Sequence, residues 1–202
     1  MNMKKRMLSI VLSGAMAVST AVSAGSFSAF AVAQCVAYSG SNVNDQDYVQ
    51  WSDTVKSYLT VCDNGNYMRV QSGAIKGKLL VEYYSSDFEP LSTKLIDNEL
   101  PVFGAFYDSG NNYYVLSGQE NPKQNDSLEV FRITKYDKNW NKIKSCGLYG
   151  ANTTVPFDAG SARMTHSGDH LLVRTCHEMY KSSDGNNHQS NVTIEVDMPS
   201  MT

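Results

Sequence analysis

Three glycine turns constrain this chain more than any other feature. Asp63-Asn64-Gly65-Asn66, Asp108-Ser109-Gly110-Asn111 and His166-Ser167-Gly168-Asp169 each precede an apolar or aromatic run. The runs are Tyr67 to Val70, Tyr113 to Leu116 and Leu171 to Val173. Glycine reaches the positive φ of a tight hairpin without steric cost, and Asn or Asp tolerates it next best. Each signature therefore predicts a β-hairpin, and Gly65, Gly110 and Gly168 mark a hairpin that recurs at unequal but similar intervals.

A second hairpin follows in the first two units. Lys78 to Tyr84 leads through Asp87-Phe88-Glu89-Pro90 into Leu91 to Ile96, and Leu128 to Tyr136 leads through Asn139-Trp140-Asn141-Lys142 into Ile143 to Cys146. Phe88 and Trp140 fall at matching places in their two units. Val55 to Val61 and Val102 to Tyr107 supply first strands. The third unit offers Val192 to Val196, with no run for a fourth strand after it. Four antiparallel strands per roughly 50 residues is the period of a propeller blade. Leu128, Val130, Phe131 and Ile133 are apolar on both faces of one strand, as stacked blades require. No capped stretch with 3.6-residue periodicity follows Ala33.

The segments DNGNY, DSGNNYYVLSG and KYDKNWNKIKS resemble blades of secreted bacterial β-propeller proteins. YGANTTVPFDAGSARM, LLVRTCHEMYKSSDG and HQSNVTIEVDM are similar to functionally uncharacterised exported proteins of Gram-positive anaerobes. That resemblance implies a longer propeller, of which this chain is a C-terminally truncated piece. The expected fold is all-β, with antiparallel four-stranded blades in an incomplete β-propeller; a β-sandwich is the alternative. The expected blade-like units are 51–100, 101–150 and 157–202, the last incomplete. Two blade faces would then lack neighbours, and self-association through those unpaired faces is one way to cover them.

The N-terminus carries a separate message. Lys4, Lys5 and Arg6 precede an uncharged apolar stretch from Met7 to about Ala24, and Ala31-Val32-Ala33 forms a small-residue cleavage site. This order predicts a secretory signal peptide over 1–33, cleaved near Ala33, and hence a secreted protein. Residues 34–50 read as a flexible N-terminal segment. No later stretch is long and apolar enough to anchor the chain in a membrane. Cleavage removes three of the 17 Lys and Arg, leaving 14 against 20 Asp and Glu, a net charge of about −6. With no basic run after Arg6, nucleic acid is not an expected partner. Cys35, Cys62, Cys146 and Cys176 allow at most two disulfides in three pairings.

Unusual chemistry concentrates in the third unit. Arg163, His166, His170, Arg174, His177, Glu178, Tyr180, Asp184, His188, Gln189 and Asn191 follow closely on one another and include all four histidines. Period-two geometry puts Arg174 and Cys176 on one strand face and His177 on the other. The sharp reading is a pocket at one mouth of the propeller that gathers Arg163, Arg174, His177, Tyr180, His188 and Gln189. The arginines would hold a carboxylate or sulfate, and His177 or His188 would move a proton. The plainer reading is a set of solvated loop and strand-edge groups. His177-Glu178 starts like a zinc helix, but Lys181 stands where the second His belongs, so no metal site is assigned. Asp45 and Asp47 begin like a calcium loop that Gln50 and Lys56 then break. No cofactor is implied. The expectation is therefore a secreted or cell-wall-associated recognition module for an extracellular glycan or wall ligand, without catalysis. The alternative is a fragment of an extracellular enzyme acting on an anionic polysaccharide or sulfate ester.

Overall fold

A computed structural model describes residues 54–202. The signal peptide, the 34–50 segment, Cys35 and the Asp45–Asp47 pair lie outside the described residues. The rest is β structure in three antiparallel four-stranded sheets. Sheet one runs in the order β1 (Ser57–Val61), β2 (Tyr67–Ile75), β3 (Lys78–Tyr84) and β4 (Pro90–Asp97). Sheet two repeats it with β5 (Val102–Asp108), β6 (Tyr113–Gly118), β7 (Glu129–Tyr136) and β8 (Lys142–Tyr149). Sheet three joins β10 (Arg163–Ser167), β11 (His170–Lys181) and β12 (Asn187–Asp197). Its fourth strand, β9 (Thr153–Pro156), shares the β10 side of β11, pairing where β10 no longer reaches. The chain is thus an all-β protein of blade-like sheets. Three blades among the described residues form an incomplete propeller, because a ring takes about four to eight.

The glycine turns form as their sequence requires. Gly65, Gly110 and Gly168 have φ of 81°, 89° and 56°, and a Cβ at each would meet nothing within 4 Å, so backbone conformation alone selects glycine there. The second hairpins use the same left-handed position without glycine. Phe88 and Trp140 take φ of 62° and 63°, and Met201 takes 52° in the turn that follows β12.

Alternation along the strands builds two cores, one on each face of sheet two. Met68, Val70, Leu79 and Val81 of sheet one pack with Phe106, Tyr113, Val115 and Trp140. On the other side, Tyr114, Leu116, Phe131 and Ile133 pack with Phe157, Leu171, Val173, Ile194 and Val196. All six residues of β6 are buried because neighbours cover both its faces, which explains its continuous apolar run. Each of these large side chains stabilises the stack by roughly 1.5–3 kcal/mol of burial. Three stacked layers replace the two layers of a sandwich. Cys62, Cys146 and Cys176 are free thiols.

Candidate functional site

The outer face of sheet three is where the sequence-selected arginines meet. Hairpin register around Gly168 sets Arg163 directly opposite Arg174, Thr165 opposite Leu172, and Thr193 on the far side of Arg174. Residues directly opposite share a sheet face, so all five project the same way. They line an open recess of about 280 Å³. Arg174 Nη1 donates to Thr193 Oγ1 at 2.6 Å, and Arg163 Nη1 donates to the Ala162 carbonyl at 3.2 Å. Neither arginine has a carboxylate partner among the described residues. Each guanidinium has five N–H donors, so most of that capacity is not used in these two hydrogen bonds. Two like charges directly opposite repel, and an anion between them converts that cost into paired hydrogen bonds.

The histidines do not join them, which corrects the expectation of one convergent pocket. His177 lies on the core-facing side of β11 and is 6% exposed. Thr153 Oγ1 donates to the Ala151 carbonyl at 2.9 Å, so its 2.7 Å contact with His177 Nδ1 is best satisfied by a proton on Nδ1. Burial pushes the His177 pKa below its ordinary 6.5. Above that pH neither folded nor unfolded imidazole is charged. Below it the unfolded chain takes up a proton that the folded chain resists, so stability is lost as the pH is lowered. Denaturant unfolding at pH 7.5 and 5.5 is expected to show this loss, at most about 1.4 kcal/mol per pH unit from this group. In His177→Asn the loss is expected to shrink; an unchanged pH dependence would remove the assignment.

His188 sits five positions along β12 from Thr193, roughly 17 Å at strand rise. Its Nε2 lies 2.8 Å from Asp184 Oδ2. The Asp184 carboxyl is held well below the usual range by hydrogen bonds from the Ser182 hydroxyl, the Asn186 amide and His188. This is a hairpin-tip arrangement on its own. Gln189 Nε2 donates to Asp158 Oδ2 at 2.6 Å, and the Tyr180 hydroxyl accepts from Asn121 Nδ2 at 2.9 Å. His166 meets the Tyr107 hydroxyl at 2.8 Å, and His170 meets Glu195 at 2.8 Å. The cluster seen along the sequence therefore separates into several local pairings. Thr165, Leu172 and Thr193 are the site residues sequence reasoning missed. Their signal was the 163–174 hairpin register, which needed β10 to be recognised as a strand.

Three carboxylates of the first two sheets and their connection are held by basic side chains. Glu99 accepts from Arg132 at 3.0 Å and Lys142 at 2.6 Å, and Glu129 pairs with the same Arg132. Asp108 pairs with Lys138 at 2.6 Å. Among the described residues no three His, Cys, Asp or Glu side chains group as metal ligands, and no helix is long and apolar enough to cross a membrane.

No family model matches the chain, and no curated protein matches it. Among solved structures it is similar to a GH43 β-1,3-galactosidase determined with galactodeoxynojirimycin. That match has 12% identity and a TM-score of 0.40, and covers 71% of this chain and 42% of that one. A second GH43 β-1,3-galactosidase matches at 11% identity and a TM-score of 0.42, over 72% of this chain and 31% of that one. The chain spans less than half the length of either.

Proposed function

We propose that this chain is a secreted recognition module that binds an anionic glycan over the outer face of sheet three. One observation carries the reading. Arg163 and Arg174 face each other across β10 and β11, on one recess, with no carboxylate partner among the described residues. A uronate carboxylate or sulfate ester offers two or three acceptor oxygens to that pair of forks. Thr165 and Thr193 flank the pair at the recess, and the Thr193 hydroxyl orients Arg174 by accepting from its Nη1. The signal-peptide pattern that ends at Ala33 supports an extracellular ligand.

Calorimetric titration of the full chain tests this with an oligogalacturonate, a chondroitin sulfate oligosaccharide and a neutral xylo-oligosaccharide. The expected result is binding of one or both anionic sugars, weakened by added salt. Arg163→Ala and Arg174→Ala should each reduce affinity about 10–100-fold, the loss of one charge-assisted fork. Equal binding of the neutral sugar, or affinity indifferent to both substitutions, would refute it. The same recess would serve as a substrate subsite in a larger glycan-degrading enzyme. Release of reducing sugar during the titration distinguishes that reading from simple recognition.

A further inference from the structure

The arginine recess sits between two acidic borders on one sheet face. Antiparallel register divides the outer face of sheet three into cross-strand rows, two residues or about 7 Å apart along the strands. Arg163, Arg174 and Thr193 form the middle row. One row toward the Gly168 turn lie Thr165, Leu172 and Glu195, and the next row ends on His170 and Asp197. In the other direction Cys176 and Asn191 make a neutral row, closed on itself by a 3.2 Å bond from Cys176 Sγ to Asn191 Oδ1. Beyond it come Glu178 and Gln189, and Gln189 Nε2 donates to Asp158 Oδ2 at 2.6 Å. Along the strands the face thus runs acidic, basic, acidic.

These charges do not cancel one another within the protein. Among the described residues none of Asp158, Glu178, Glu195 and Asp197 pairs with a Lys or Arg. Glu195 is the diagonal cross-strand neighbour of Arg174, a separation that long side chains can bridge. Arg174 nevertheless donates to Thr193, and Glu195 Oε1 turns to His170 Nδ1 at 2.8 Å. That bond needs no charge on the imidazole, whose neutral form still has one N–H. A ligand with an acid on every sugar would bring one acid to the arginines and the next toward Glu195 or Glu178, where like charges repel.

We infer that the recess selects an anionic group flanked by ammonium groups, the charge pattern of a zwitterionic glycan in which acidic and amino sugars alternate. The inference rests on the recess reading proposed above and narrows its ligand. The arginine row takes the carboxylate or sulfate through paired N–H donors. Amines on the neighbouring sugars then extend toward the acidic rows, one row away at Glu195 and two rows away at Glu178. Each exposed ammonium–carboxylate pair of this kind raises affinity by about 1.5- to 5-fold.

Calorimetric titration of the full chain at pH 7 and low salt tests this with a matched pair of sugars. The first is a heparosan oligosaccharide, which alternates glucuronate with N-acetylglucosamine; the second is the same oligosaccharide after N-deacetylation. At pH 7 an amine as basic as an α-amino group is mostly protonated. N-Deacetylation is expected to tighten binding about 3–10-fold. Raising the pH to 9 should cancel that gain and leave the acetylated sugar's affinity unchanged. Glu178→Gln and Glu195→Gln together should cut the gain below about twofold without weakening the acetylated sugar. Arg174→Ala should weaken both sugars alike. If neither sugar binds, or if Arg174→Ala changes nothing, the recess reading fails and this inference falls with it. If both bind through Arg174 but equally well, if the acetylated form binds tighter, or if the gain survives the double Gln variant, this inference alone is overturned.

Discussion

Replacing Phe157 with alanine is expected to cost about 3–5 kcal/mol of folding stability, the range for deleting a buried aromatic ring. Phe157 is 4% exposed, sits at φ 60° just after β9, and meets Phe131 edge-on with ring centroids 5.5 Å apart. Its ring occupies space that sheet two leaves open by having no side chain there. A Cβ at Gly104 would lie 2.4 Å from Phe157 Cζ, and a Cβ at Gly118 would lie 2.8 Å from Cε2 and 2.9 Å from Pro156 Cβ. Gly104 and Gly118 are thus the two halves of a socket that holds sheet three on sheet two. Gly104→Ala alone should cost about 1–3 kcal/mol, because the ring is pinned and cannot retreat. In the Phe157→Ala background the added methyl enters a cavity, and its cost should vanish or change sign. Urea unfolding of the four proteins measures the coupling. Costs that simply add would show that ring and glycines do not form one contact.

Much of the fold was legible because its signals are local. Gly65, Gly110 and Gly168 announce hairpins by a backbone requirement that only their own φ imposes. The two-sided apolar run of β7 announces a strand between two layers. β9 and β10 were invisible for the opposite reason. Arg-Met-Thr-His-Ser has no apolar alternation, since one face of β10 looks to solvent and the other carries Met164 and His166 toward sheet two. The left-handed turns at Phe88 and Trp140 were legible as matching positions but not as conformations, because aromatic side chains do not advertise positive φ. For the site, period two correctly set Arg174 and His177 on opposite faces. That Arg163 is the cross-strand neighbour of Arg174 follows from the register closed by the Gly168 turn, but only once β10 is recognised as a strand reaching back to position 163. Clustering along the chain overstated clustering in space. An extended strand carries successive residues about 3.3 Å apart, so His188 is already far from Thr193.

The repeat also explains why one aromatic in a turn should matter far more than its counterpart. Trp140 is 4% exposed and packs on Phe106, Tyr113 and Tyr136, with centroids 5.8, 4.8 and 5.5 Å away. Its Nε1 donates to the Tyr83 hydroxyl at 3.1 Å, so one residue of sheet two closes the core and reaches across to sheet one. Phe88, at the same turn position of sheet one, is 60% exposed and stacks only on Tyr67 at 4.5 Å. Trp140→Ala should therefore cost about 3–5 kcal/mol for the ring. Loss of a partner for the half-buried Tyr83 hydroxyl adds about 1 kcal/mol. Phe88→Ala should cost less than about 1 kcal/mol. Backbone conformation reverses the usual ranking of small residues at this site. At φ 63° alanine keeps the left-handed penalty that glycine escapes, so Trp140→Gly should be about 1 kcal/mol more stable than Trp140→Ala. Because the lost contacts join sheets one and two, amide exchange in β2 and β3 should accelerate more than in β11 and β12. Uniform acceleration across all three sheets, or alanine more stable than glycine at position 140, would contradict this account of how the blades are held together.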